Sequence, residues 1–145
     1  MKKYVLIHLI FFISTTVMAQ KYDSWSLFHN RKEVGSFNLK KETDDERRVV
    51  LLSRTLEGPG FFIIEYTPAA AQADWIRTIA FFDTSGKQIK AFNNTLFLRI
   101  HNTDMALMLD NRGIVEVYSW AVPKDPELAA TVKVKRILLS TIFIR

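Results

Sequence analysis

Along most of the chain, apolar and polar residues alternate in short runs separated by turn-forming residues, which is the pattern of half-buried β-strands. Trp25 and Leu27 lead into His29, Asn30, Arg31 and Lys32, a polar reversal that returns through Val34 and Phe37, so an opening hairpin is predicted. Residues 49–53 and 61–67 read as two buried strands on either side of the break at Gly58, Pro59 and Gly60. Residues 75–82 and 88–92 flank Asp83, Thr84, Ser85, Gly86 and Lys87, a hairpin turn with a glycine available for positive φ. In residues 95–101, Leu96, Leu98 and Ile100 oppose Phe97, Arg99 and His101. Residues 105–109 are expected to pair with 114–122 through a tight turn at Asp110, Asn111, Arg112 and Gly113. Short helical turns are expected in 69–73 and, behind the capping pair Asp125 and Pro126, in 126–130.

The last fifteen residues, TVKVKRILLSTIFIR, constrain the architecture most. Val132 and Val134 alternate with Lys133 and Lys135, but beyond Arg136 apolar residues fall on both faces. At about 3.3 Å per residue the stretch would span roughly 50 Å, against about 20 Å for an ordinary strand. A bulge or bend at Lys135 and Arg136, with the chain changing sheets there, is therefore expected. Leu138, Ile142 and Ile144 would then lie on a face that a two-layer fold leaves to solvent, which makes them candidate interface residues. About ten strands at spacings of roughly 8–12 residues, without sustained helical periodicity, predict one all-β domain. The favoured form is an antiparallel β-sandwich, jelly-roll-like, of about 8–10 strands; the alternative is an up-and-down β-barrel.

The first residues depart from this pattern. Lys2 and Lys3, an apolar run through Ile13, and Val17, Met18 and Ala19 before Gln20 have the form of a bacterial secretory signal peptide. The run is shorter than the roughly 18 residues a membrane span requires. The expectation is a cleaved signal over residues 1–19 and a single domain over 20–145, exported to the periplasm or secreted, with no stable membrane span. Loss of Lys2 and Lys3 lowers the formal charge from +5 to +3. The mixed run from Lys40 to Arg48, with Glu42, Asp44, Asp45 and Glu46 inside it, reads as a solvated loop, so no nucleic-acid footprint is predicted. The chain has no cysteine, which excludes disulfides, thiolate metal sites and cysteine nucleophiles.

Candidate chemistry is sparse. Glu116, Tyr118 and Trp120 share one strand face and could hold a sugar or other small ligand by stacking and hydroxyl recognition, helped by Trp75 or Arg99. Glu65 interrupts an apolar run and points either outward or to an ion pair with Arg77 or Arg99. His101 and Asp104 match no metal-ligand spacing, and Ser85 and Ser119 lack a nucleophile elbow. Turns 83–87 and 110–113 lack alternating calcium ligands, and no glycine-rich phosphate loop occurs, so no cofactor is expected. These features predict a non-enzymatic exported domain that binds a macromolecular partner, a protein or glycan of the cell envelope, or a second copy of itself. The alternative is small-ligand or carbohydrate binding through the Tyr118 and Trp120 face.

Overall fold

Nine strands form two sheets packed face to face, in a computed structural model that describes residues 19–40, 43–109 and 112–145. The predicted leader lies outside the described residues except for Ala19. The strands are β1 (Ser24–His29), β2 (Lys32–Asn38), β3 (Arg48–Leu51), β4 (Phe61–Thr67), β5 (Ile76–Phe82), β6 (Gln88–Asn93), β7 (Phe97–His101), β8 (Ile114–Val122) and β9 (Ile137–Ile144). A four-stranded sheet has the order β2-β1-β4-β7 and a five-stranded sheet the order β3-β9-β8-β5-β6. All pairs are antiparallel except β3 with β9. The architecture is an all-β sandwich, as the strand pattern predicts.

Alternation sets the core. Trp25 and Leu27 of β1, Phe62, Ile64 and Tyr66 of β4, and Leu98 and Ile100 of β7 face Ile79, Phe81, Val115, Val117, Leu139 and Ile142 of the other sheet. A network of polar groups crosses this interface. Asp23 accepts hydrogen bonds from the Tyr66 hydroxyl (2.5 Å) and the Ala69 backbone N–H (2.6 Å), and it faces Arg77 of β5 at 3.6 Å. The Arg77 guanidinium lies over the Tyr66 ring, and the Trp25 ring stacks with it, parallel within 4°.

Three expectations are corrected here. Residues 105–109 are helical: α1 (Asn102–Leu109) buries Met105, Met108 and Leu109 at the three- and four-residue spacing of one helix face. Its alanine, leucines and methionines are strong helix formers, and β8 pairs instead with β5 and β9. The segment Lys40–Arg48 is not a wholly solvated loop. Asp44–Glu46 form a 3₁₀ turn capped by Thr43, and Arg47 is only 3 % exposed, stacked over Trp25 at 5.0 Å. Lys41 and Glu42 lie outside the described residues.

The final strand differs most. After the second helix, α2 (Pro126–Thr131), residues 132–136 pair with nothing, and β9 begins only at Ile137. There is accordingly no ladder to bend at Lys135 and Arg136, and β9 stays between β3 and β8 in one sheet. The irregularity falls three residues later. Val117 pairs with Ser140 and Tyr118 with Leu138, which leaves Leu139 as the extra residue of a bulge. Its carbonyl accepts a hydrogen bond from Trp25 Nε1 across the sandwich at 2.8 Å, and the neighbouring Leu138 carbonyl accepts one from Arg47 Nη1 at 2.9 Å. The bulge resets the alternation, so Leu139 and Ser140 are both fully buried. Ile142, at 0 % exposure, and Ile144 therefore turn into the core, while Leu138 faces outward beside Tyr118.

Candidate functional site

The residues predicted to bind ligand lie in three separate places. Glu116, Tyr118 and Trp120 project together from the outer face of the five-stranded sheet, half-buried, with Phe82 of β5 between them. Arg136 lies over this cluster, 4.2 Å from the Phe82 ring centre, 4.6 Å from Tyr118 and 5.9 Å from Trp120. The Tyr118 hydroxyl donates to Glu116 at 3.1 Å. Burial, reinforced by the Glu116 charge, holds the Tyr118 phenol above its ordinary pKa. These rings thus already stack on a cation of their own chain. Trp75 lies just before β5 and borders a different hollow, of about 460 Å³, with Asn94, Phe97 and Lys124. Arg99 belongs to the opposite sheet.

The remaining candidates do not converge. Glu65 points outward from β4 and is exposed. Arg77 is taken by Asp23, Ser119 and Gln72 rather than by Glu65. His101 packs on Phe61 at 4.6 Å, and Asp104 is an exposed residue of α1. Asp83 uses one carboxylate oxygen for the Ser85 hydroxyl and the Ser85 and Lys87 N–H groups, a turn-closing role, and these bonds hold its pKa below the usual value. Among the described residues no group of three acidic or histidine side chains could hold a metal, and no helix is long and apolar enough to cross a membrane.

The site assembled most completely is a cleft of about 570 Å³ on the outer face of the four-stranded sheet, lined by Asn30, Arg31, Pro59, Phe61, Ile63 and Arg99. Strand register explains the grouping: Phe61 and Ile63 are outward residues of β4 and pair with His101 and Arg99 of β7. Arg99 sits over the Phe61 ring at 3.5 Å, which fixes the guanidinium against an apolar wall. Arg31 arrives through the two-residue β1–β2 turn. Both turn residues are left-handed, Asn30 at φ 50° and Arg31 at φ 70°, matching the hairpin geometry that suits the strand twist. Glycine would be the favoured second residue of such a turn, so this arginine sits there at some backbone cost.

Behind the cleft, the Asn102 amide holds turn and loop together. Its nitrogen donates to Asn30 Oδ1 (3.0 Å), the Thr55 carbonyl (3.2 Å) and the Gly58 carbonyl (3.1 Å), and its oxygen meets His29 Nε2 at 3.2 Å. Because the amide nitrogen is committed to oxygens, the His29 contact is an N–H donated to Asn102.

Comparison with known proteins finds no matching family model, curated protein or solved structure. The site must be read from its own chemistry. The outward alternation of Phe97, Arg99 and His101 is visible in the sequence; the contribution of Arg31 is not, because it depends on β1 lying between β2 and β4.

His29 gives this region a pH dependence. Burial holds its imidazole below the ordinary value near 6.5, with the Asn102 hydrogen bond opposing. The unfolded chain therefore takes up a proton first as pH falls. Stability conferred by neutral His29 is complete above the ordinary value and is lost as pH drops through the lower native value. The urea midpoint should fall between about pH 7 and pH 5, and His29→Gln, which keeps an N–H donor without the charge, should flatten that slope. An unchanged slope in the variant would assign the pH dependence to other groups.

Proposed function

We propose that the mature chain is an exported, non-enzymatic binding domain whose recognition surface is the outer face of the four-stranded sheet, and that its partner is a macromolecule of the cell envelope. The observation that carries this reading is the contrast between the two outer faces. On the five-stranded sheet Phe82, Tyr118 and Trp120 are covered by Arg136, whereas on the four-stranded sheet Phe97 is 53 % exposed on the edge strand that also carries Arg99. Phe97 borders the Trp75 hollow and lies two positions along the same strand from Arg99, which lines the apolar cleft; an exposed aromatic and arginines on one face match the composition of protein recognition surfaces. The cleft's chemistry is recognition: arginine stays charged at every ordinary pH, and phenylalanine and isoleucine exchange no protons. Export rests on the leader pattern of residues 1–19. The alternative, a carbohydrate or small ligand stacked on Tyr118 and Trp120, is weaker because Arg136 already occupies those rings.

Site-specific photo-crosslinking in the native host tests the proposal. The exported form should begin at Gln20. A photoreactive residue at position 97 should give a discrete cross-linked species identifiable by mass spectrometry, whereas one at position 120 or 141 should not. Equal labelling from both faces, or none from position 97, would overturn the assignment of this face.

A further inference from the structure

Resting on that choice of face, we infer that the group entering the cleft is a carboxylate carried on an apolar body. The cleft's size, about 570 Å³, is within the range of specific ligand sites. Phe61, Ile63 and Pro59 give it apolar walls, and the charged residues lining it are both arginines, Arg31 and Arg99. Neither arginine is in an ion pair among the described residues, where the bridges involve Arg47, Arg48 and Arg77. Glu65, the outward carboxylate of β4, pairs across the strands with Phe97, not Arg99.

The two guanidiniums are held differently. Phe61 covers one face of Arg99 at 3.5 Å, and guanidinium donors lie in the plane of the group, so its N–H edges remain available for a forked pair with a carboxylate. Arg31 is the residue in a left-handed turn position where glycine would be easier, at φ 70°. Backbone strain at such a position points to a use for the side chain. Two cations beside apolar walls complement one anionic head on a hydrophobic group; a neutral or cationic ligand of the same shape would leave them unpaired. With a macromolecular partner, the occupant is the C-terminal carboxylate of a polypeptide ending in an apolar residue; a free amphiphile with the same head is the competing outcome of the test.

Isotope-edited NMR and calorimetric titrations of the mature protein would distinguish these sources. The probes are octanoate and octanamide, and a tripeptide ending in leucine as either the free acid or the carboxamide. The peptide acid should bind saturably and perturb residues 31, 61, 63 and 99, with its carboxamide at least tenfold weaker; binding by octanoate and not by the peptide acid would overturn the polypeptide source. Arg99→Gln and Arg31→Gly should each weaken the acid at least tenfold. Arg31→Gly should at the same time raise the urea midpoint, which separates loss of the ligand group from loss of the fold. Acid and amide binding equally would overturn the carboxylate assignment. So would the absence of binding by all four probes while cross-linking at position 97 persists, and in that case the recognition face itself stands. If both binding and cross-linking are absent, both readings fall.

Discussion

Replacing Asp23 by alanine will lower the free energy of unfolding by about 3–5 kcal/mol, the cost of removing one member of a buried ion pair. Asp23 and Arg77 are 4 % and 2 % exposed, on strands or strand margins belonging to different sheets. Two donors converge on this carboxylate, the Tyr66 hydroxyl and the Ala69 backbone N–H, and the Arg77 guanidinium faces it as a counter-charge at 3.6 Å. Burial is the main reason that the Tyr66 phenol is pushed far above its ordinary pKa, so it remains a donor to Asp23 at any ordinary pH. In the alanine variant, the Arg77 charge keeps Ser119 and Gln72 but loses its counter-charge, and the Tyr66 and Ala69 donors are left without an acceptor. A domain of this size has roughly 5–15 kcal/mol of stability, so the loss would bring it close to unfolding.

Urea denaturation followed by tryptophan fluorescence is the measurement, since Trp25 stacks on Tyr66 at 5.8 Å. Asp23→Asn, which keeps an acceptor for Tyr66 or Ala69, should cost less than Asp23→Ala. The double variant Asp23→Ala with Arg77→Met should be less destabilised than the two single losses added, because no charge is stranded. An Asp23→Ala midpoint within about 0.5 M urea of the parent would show that the network does not hold the sheets together.

Why some of this was readable in the sequence, and some was not, follows from the distance over which each feature is determined. Strand positions such as 61–67 and 114–122 are set by their own alternation, and the turn at 83–87 by its own glycine and aspartate, so local reasoning finds them. The α1 segment fails because a run of five apolar residues satisfies strand and helix templates alike; only the burial of Met105, Met108 and Leu109 on one side separates them. The bulge at Leu139 fails for a different reason. It is stabilised by Trp25 and by Arg47, more than ninety positions upstream, and Arg47 sits in a charged run that reads as solvated. Moving the irregularity from Lys135 and Arg136 to Leu139 also shifts the face parity, so Ile142 and Ile144, expected at a surface, face the core. Of the cleft, Arg99 and its outward face were legible. Arg31 and the Asn102 support were not, because sheet order brings together residues about seventy positions apart.

Gly60→Ala should destabilise the protein by about 3 kcal/mol and weaken the cleft, whereas Gly58→Ala two residues earlier should be within about 0.5 kcal/mol of neutral. Gly60 has φ 150°, a region that side chains rarely adopt, and a methyl group there would overlap the Asn30 amide oxygen and come within 2.8 Å of Asn102 Nδ2. Asn102 cannot give way cheaply: its amide serves Asn30, Thr55, Gly58 and His29 at once, and its backbone N–H donates to the Gly60 carbonyl at 3.0 Å. A methyl on Gly58 meets nothing within 4 Å. The cost at Gly60 has two parts, backbone strain and collision, and a second substitution isolates the contact with Asn30. Asn30→Gly in the Gly60→Ala background removes the overlapped amide while suiting the left-handed turn position, so it should recover the Asn30 share of the collision and leave the Asn102 contact and the strain. The comparison is made by urea denaturation. Full recovery would mean that the backbone at Gly60 is not strained, and no recovery would mean that the Asn30 contact is not what excludes a side chain.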